Sequence, residues 1–445
     1  MAPPVAMRKQ SRPWAWLRAH PYTAAAAVAV VALAVPFCLR RDAEWDQVYL
    51  LAARHLRQGA DIYAPQDGYL YPPFTAWAAL PFTFLPGPAA RAAWLLLNVL
   101  CAAALVRGAW RLAGGPRLEG AGGARRGEHL AAVLGACCGL PYVQNCAAHQ
   151  QTDLIIGALL VGGCLLLGRS RALAAAACFG VAAAMKCTAL LWAPVLLWRR
   201  RPAAAAWLLA VALGVNLLPD LYRPSPSGRP WLVEYGQRFL SPLTEGGHYL
   251  GTWGSHVVYN QSLSGAGLRW VATTWTWGPD DCTVDPRTPL VGPLALRGAV
   301  CSVELLLLLG AAWACARPFR RLDAAGPDGE RHGLECAVVL LLMLLLSPMS
   351  SKAHFGTLLV PGFCLARAAL APERRAERAL LSVAVALSLA VSKGPLGERL
   401  YTLGLWYGAV TWQSLALLAG CLIALRRPSA AAAALPHAAP AACAA

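Results

Sequence analysis

The chain has 445 residues, 58% of them hydrophobic and only 14% charged, which leaves too little polar surface for a soluble protein of this length. A net charge of +17 suits a nucleic-acid partner in principle, but Arg and Lys cluster in short segments between apolar runs. That is the pattern of loops facing anionic lipid, so membrane lipids are expected as partners and nucleic acid is not.

In chain order, a basic N-terminus leads into an apolar run at 22–39. No small-x-small site followed by a soluble domain appears, so this run reads as an uncleaved first helix rather than a signal peptide. Further apolar runs fall at about 90–110, 130–147, 153–168, 172–185, 187–198, 203–218, 290–315, 334–348, 355–371, 379–392 and 404–425. Runs of this kind cross a bilayer as helices, because lipid offers no partner for free backbone groups. The expectation is an all-α polytopic membrane protein with about twelve crossings and both termini cytoplasmic. The basic segments 111–129, 169–171, 199–201, 317–332, 371–378 and 426–427 then lie inside. Outside lie two large loops, about 40–89 and 219–289, with short turns around 149–153, 186, 350–354 and 393–399. The Pro-interrupted segment 72–88 reads as a re-entrant or interfacial helix on the outer side. The membrane domain occupies 1–427, and the Ala/Pro-rich tail 428–445 reads as disordered.

Most of the 15 cysteines sit in or beside apolar runs as small hydrophobes, and neither CxxC nor Cys/His spacing suggests a metal site. Glu304 stands alone in mid-run, with Arg297 as a partner seven residues back; an ion pair and a proton or substrate path are both open readings.

The groups suited to chemistry gather on the outer side. Asp46 follows the first helix, and a carboxylate at a membrane surface among aromatic groups is placed to take a proton from a hydroxyl. Its plain alternative is capping a helix that begins at Gln47; Asp42 is its rival. His354 and, less strongly, His149 are hydrogen-bonding or orienting groups. Lys186, ending an apolar run, and Arg269 and Lys352 are candidates for gripping an anion, against snorkelling or anchoring roles. Arg40 and Arg41 suit an anionic lipid head or simple helix-end anchoring. Loop 219–289 is dense in Trp and Tyr, as interfaces are, and this density also suits stacking on a sugar or lipid. Asn260-Gln-Ser262 would be a glycosylation acceptor in a secretory eukaryotic chain.

Several motifs in order resemble glycosyltransferase family 87, the polyprenyl-phosphate-mannose-dependent α-mannosyltransferases of the GT-C superfamily. The likeness runs from Asp46 to about His354. It rests on Asp46-x-x-Tyr49, Gly59, Tyr63, Tyr71-Pro-Pro-Phe74 and Pro81, on Lys186 followed by Pro194, on Asn260-Gln261-Ser-Leu263 with Arg269, and on Ser347-Pro348 with His354. Two departures stand out. Gln150-Gln151-Thr152-Asp153 replaces a Gly-Gln-x-Asn, and Ser351 or Lys352 replaces a Trp often found after Ser-Pro, which leaves open the acceptor's identity or how the donor is gripped.

The resemblance implies a GT-C fold with its active site on the extracytoplasmic face of the cell membrane. A mannosyl residue would pass, with inversion, from a polyprenyl-phosphate donor to a hydroxyl of a lipid or glycan acceptor. Asp46 would be the general base, with His354 as second catalytic group. Lys186, Arg269 and Lys352 would hold phosphate, and Tyr49, Tyr71, Gln151, Asp153, Asn260 and Gln261 would contact substrate. The scheme calls for no metal or cofactor. A multi-helix transporter or lipid flippase is the rival, marked by internal repeats of which the sequence shows none. A catalytically dead relative acting as an assembly partner is a third reading.

Overall fold

The computed structural model describes residues 20–118, 126–241, 257–271, 275–277, 282–284, 290–316 and 327–427. The tail from 428, Tyr249 and Trp253 lie outside the described residues.

The chain is helical almost throughout. The helices are α1 (Pro21–Leu39), α2 (Leu50–Gln58), α3 (Pro73–Ala79), α4 (Gly87–Leu112), α5 (Arg126–His149), α6 (Asp153–Gly168), α7 (Ala172–Met185), α8 (Trp192–Trp198) and α9 (Pro202–Asn216). They continue as α10 (Leu218–Tyr222), α11 (Trp231–Tyr235), α12 (Leu263–Trp270), α13 (Pro293–Ala314), α14 (Pro327–Leu345), α15 (Leu359–Ala368), α16 (Arg375–Ala390), α17 (Lys393–Trp406) and α18 (Ala409–Arg426). A small antiparallel hairpin, β1 (Trp275–Trp277) with β2 (Cys282–Val284), pairs Trp275 with Val284. It is a departure from a purely helical expectation.

Six helical stretches among the described residues are long and apolar enough to cross a membrane: Pro21–Leu39, Gly87–Leu112, Arg126–His149, Pro202–Tyr222, Leu294–Ala314 and Ala409–Arg426. The expected crossings at 153–168, 172–185 and 187–198 are apolar but shorter. The run 404–425 divides into α17 and α18 at Gly408, and segment 72–88 folds as the buried α3 and a 3-10 turn at Leu80–Phe84, too short to span. Expected run boundaries thus soften where packing against neighbouring helices, rather than lipid, covers the chain.

Contacts fix which helix ends lie together. Tyr22 reaches His129, and Arg367 pairs with Glu128, at one end of the bundle. Glu335 pairs there with both Arg199 and Arg331. At the other end Gln150 donates to the Phe37 carbonyl, Lys186 meets Asp153, and Lys352 donates to the Val391 carbonyl. The basic turns 169–171 and 199–201 therefore belong to the first end, and the polar site described below to the second. Helices α5 and α15 approach closely between the two: a Cβ at Gly139 would lie 2.6 Å from the Leu359 backbone nitrogen. Small residues permit such contact where helices must be held by packing in an apolar solvent.

Candidate active site

The site begins at the turn between α5 and α6. Asp153 opens α6, and Lys186 follows α7 directly, so the antiparallel packing of these neighbours brings the two side chains together. Lys186 Nζ donates to Asp153 Oδ1 at 2.8 Å, with Lys186 16% and Asp153 7% exposed. A lone ammonium at this depth would be costly; the carboxylate compensates it.

His354 completes the cluster. The Ser351 backbone N–H donates to His354 Nδ1 at 3.0 Å, which makes Nδ1 an acceptor and puts the ring proton on Nε2. That Nε2 faces Asp153 Oδ2 at 3.9 Å. Burial, aided by the Lys186 charge and opposed by Asp153, lowers His354 to about 3, so the ring is neutral and serves as an N–H donor. Asp153, Lys186, Thr188, Met343, Ser350 and His354 line one small cleft.

On the other side of Asp153 the turn itself is pinned. Gln150 takes a left-handed φ of 56°, with its side chain tied to α1 and its carbonyl receiving the Trp94 indole N–H at 3.3 Å. Such backbone strain collects at functional sites. Gln151 donates from Nε2 to Glu44 Oε1 at 2.5 Å, and His149 Nδ1 lies 4.0 Å from the same oxygen. Gln151 Oε1 and Thr152 Oγ1 are buried without a hydrogen-bond partner among the described residues. Buried orphan acceptors and hydroxyls ask for an explanation, and a polar ligand supplies one. Tyr49 and Tyr71 pack ring to ring beside this patch, centroids 4.9 Å apart, and both sense the charges of Glu44 and Asp153.

Asp46 lies elsewhere in the same segment. Residues Trp45–Tyr49 form a π-helical turn, not the α-helix beginning at Gln47 that a capping role required, and Asp46 makes no capping hydrogen bond. Its carboxylate is held by Arg91, with Nε to Oδ2 at 3.0 Å and both side chains 15% exposed. Beside it Trp45 stacks on Trp94 of the same helix, centroids 3.9 Å apart. The structure joins Asp46 to α4 and does not pair it with His354. Asp42 pairs with Arg40 at an exposed corner.

Asn260 and Gln261 are clasps. Asn260 Nδ2 donates to the Pro348 carbonyl at 3.0 Å, and its Oδ1 accepts from the Ser262 and Ser350 backbone N–H groups. The Gln261 N–H donates to the Ser350 carbonyl at 2.8 Å, while its side chain reaches the carbonyls of Val258 and Leu405. Ser262 caps α12, and a Cβ at Gly265 would lie 2.7 Å from Asn260 Cγ. Two motifs far apart in sequence are thus stitched together, and they hold the segment that carries His354. Fully buried and so bonded, Asn260 is no glycosylation acceptor.

Arg269 spreads its guanidinium over the carbonyls of Val257, Asn260, Leu405 and Trp406. Lys352 donates to the Val391 carbonyl at 2.6 Å and lies 4.6 Å over the Tyr401 ring. Trp231 is core, Trp270 stacks half-exposed on Trp412, and Glu304 is half-buried on α13 with no ion pair among the described residues.

The profile of glycosyltransferase family 87 matches residues 69–348, more than half of the chain. The chain belongs to glycosyltransferase family 87. Family and apolar helices together make it a membrane glycosyltransferase rather than a transporter. The match contains Asp153, Lys186, Asn260 and Gln261, whereas Glu44, Asp46 and His354 lie outside it. No curated protein matches the chain. Among solved structures, the crystal structure of ArnT from Cupriavidus metallidurans bound to undecaprenyl phosphate is similar with a TM-score of 0.36 and 14% identity, over 92% of this chain and 77% of that one.

Two site residues escaped the sequence. Arg91 had no signal in an apolar run, and Glu44 was hidden because nothing in the sequence announces a π-turn.

Proposed function

We propose that this family 87 enzyme transfers a mannosyl residue from a polyprenyl-phosphate donor to a hydroxyl of a lipid or glycan acceptor, with inversion. The supporting observation is the Lys186–Asp153–His354 cluster, set beside orphaned polar atoms at the end of the bundle opposite the basic turns. Basic turns face the cytoplasm, so the reaction belongs on the extracytoplasmic side of the cell membrane.

Polyprenyl phosphate becomes more anionic as it leaves. Lys186 sits where it offsets that charge, and the His354 Nε2–H donates to a phosphate oxygen; fixed donors of this kind stabilise charge that grows in the transition state. The acceptor oxygen attacks the anomeric carbon in line, the bond from that carbon to the phosphate oxygen breaks, and the acceptor proton goes to a carboxylate of the segment holding Glu44 and Asp46. Asn260, Gln261, Arg269 and Lys352 contribute by fixing the 348–354 segment in place. Tyr49, Tyr71 and Gln151 border the acceptor side.

The test supplies labelled polyprenyl-phosphate mannose to vesicles containing the full chain and an acceptor-bearing membrane extract. Label moving into a glycoconjugate absent from a strain without the gene supports the proposal. Preference for a donor bearing another sugar removes mannose, and no transfer from any donor leaves a catalytically dead relative.

A further inference from the structure

We propose that Arg91 is a positioning residue for the transfer: it aims the carboxylate of Asp46, which takes the acceptor proton; this rests on the glycosyl-transfer reading above. The two residues lie 45 positions apart, and no local pattern joins them. Asp46 sits in the π-helical turn Trp45–Tyr49, and Arg91 sits near the start of α4, whose first turn holds no acid. The positive end of a helix dipole offers a cation no support. Arg91 therefore answers to a group outside its own helix, and Asp46 is that group.

The contact has the form of a fork. Arg91 Nε donates to Asp46 Oδ2 at 3.0 Å, and Nη2 donates to Oδ1 at 3.4 Å. The terminal torsion of an aspartate is broad when nothing holds it, and two parallel N–H groups fix it. An ionised carboxylate offers about four lone-pair sites, and the fork takes two of them. The others remain to accept a proton, in an orientation set from α4. Both side chains are 15% exposed, so water screens the pair little, yet the carboxylate is not sealed off.

The same stretch of α4 fixes the surroundings. Trp94, three residues beyond Arg91 and so on the same face, stacks on Trp45 and gives its indole N–H to the Gln150 carbonyl. Phe82 closes edge-on against both tryptophans. One helix thus holds the Asp46 turn and the α5–α6 turn, from which Asp153 faces Lys186 and His354. A base must stand within hydrogen-bond reach of the proton it takes, and a displacement of about 1 Å can cost about 10²-fold in rate. An ion pair kept only for stability acts on the fold alone, whereas a positioning pair acts on the rate through Asp46.

In the step itself the acceptor O–H gives its proton to an Asp46 oxygen and its electron pair to the anomeric carbon. The bond from that carbon to the phosphate oxygen breaks with its pair on polyprenyl phosphate. Arg91 keeps its protons throughout and touches neither substrate.

The test is a double-mutant cycle in the full-length protein, reconstituted in vesicles with polyprenyl-phosphate mannose and acceptor extract. Arg91→Gln is expected to lower kcat about 10²-fold with the KM for donor near wild type, and Arg91→Lys to keep part of the rate. Asp46→Asn should lower kcat about 10²–10⁴-fold, and adding Arg91→Gln to it should cost no further rate. Additive losses in the double variant make the two residues independent and overturn the proposal. A large rise in donor KM in Arg91→Gln places the guanidinium on the phosphate and overturns it too. If Arg91→Gln fails to fold, judged by thermal unfolding in detergent, Arg91→Lys decides. An unchanged kcat there overturns the proposal; a lowered kcat with unfolding temperature and donor KM near wild type supports it. Normal turnover in Asp46→Asn sinks the positioning role while leaving glycosyl transfer standing, and a wild-type protein that transfers nothing takes both down.

Discussion

Lys186 Nζ and Asp153 Oδ1 stand 2.8 Å apart, joining the end of α7 to the start of α6, directly after Gln151 and Thr152 with their orphaned atoms. Each charge makes the other tolerable at this depth, and only the ammonium is of use to a departing phosphate. Their loss should therefore differ in kind.

Lys186→Met removes both the pairing and the phosphate contact. Transfer is expected to fall on the order of 10²–10³-fold, and unfolding in detergent to shift to lower temperature, because an uncompensated buried carboxylate costs about 3–5 kcal/mol. Asp153→Asn should destabilise to a similar degree but retain more turnover. Equal turnover in the two variants would remove the phosphate role from Lys186.

His354 makes stability depend on pH. Its affinity for protons is depressed in the folded state, to about 3, against about 6.5 for a free histidine. Between these values the unfolded chain binds the extra proton and the folded one does not, so stability present above pH 6.5 is lost as the pH falls toward 3. Thermal unfolding of wild type and His354→Gln across this window checks the sign: the variant should show the flatter slope.

The clasp between the 260–262 and 347–351 segments predicts damage at a distance. Asn260→Ala removes the acceptor of the Ser350 and Ser262 N–H groups, at a cost of about 1–3 kcal/mol. Gly265→Ala forces a Cβ into the Asn260 side chain and should destabilise by about 1–3 kcal/mol. Both should lower kcat by loosening His354. Normal kcat in a measurably destabilised variant would separate the clasp from catalysis.

Arg269 predicts the opposite balance. Its four carbonyl partners make Arg269→Lys, with fewer donors in another geometry, a stability variant whose KM for donor stays near wild type. A large rise in that KM, measured in vesicles, would return Arg269 to the phosphate site.

How far the site was legible depended on the distance over which each signal acts. Lys186 and His354 stood out as ionisable groups beside apolar runs, with snorkelling or an interfacial role as the plain alternatives. Asn260 and Gln261 stood out as a motif, but their partners at Ser350 and Pro348 are nearly ninety residues away, so the motif suggested substrate where the structure shows a clasp. Arg269 and Lys352 were ambiguous for the same reason: a cation near an anionic site and a cation satisfied by carbonyls look alike until those carbonyls are located.

Composition and the spacing of apolar segments determined by themselves that this chain is a polytopic helical membrane protein. Lipid imposes that rule on every helix separately, so no knowledge of neighbours is needed. Which partner each carboxylate of the 42–46 segment meets was decided only in three dimensions. Residues 45–49 form a π-turn that leaves Glu44 against Gln151 and Asp46 against Arg91, and no local pattern encodes partners so far away along the chain.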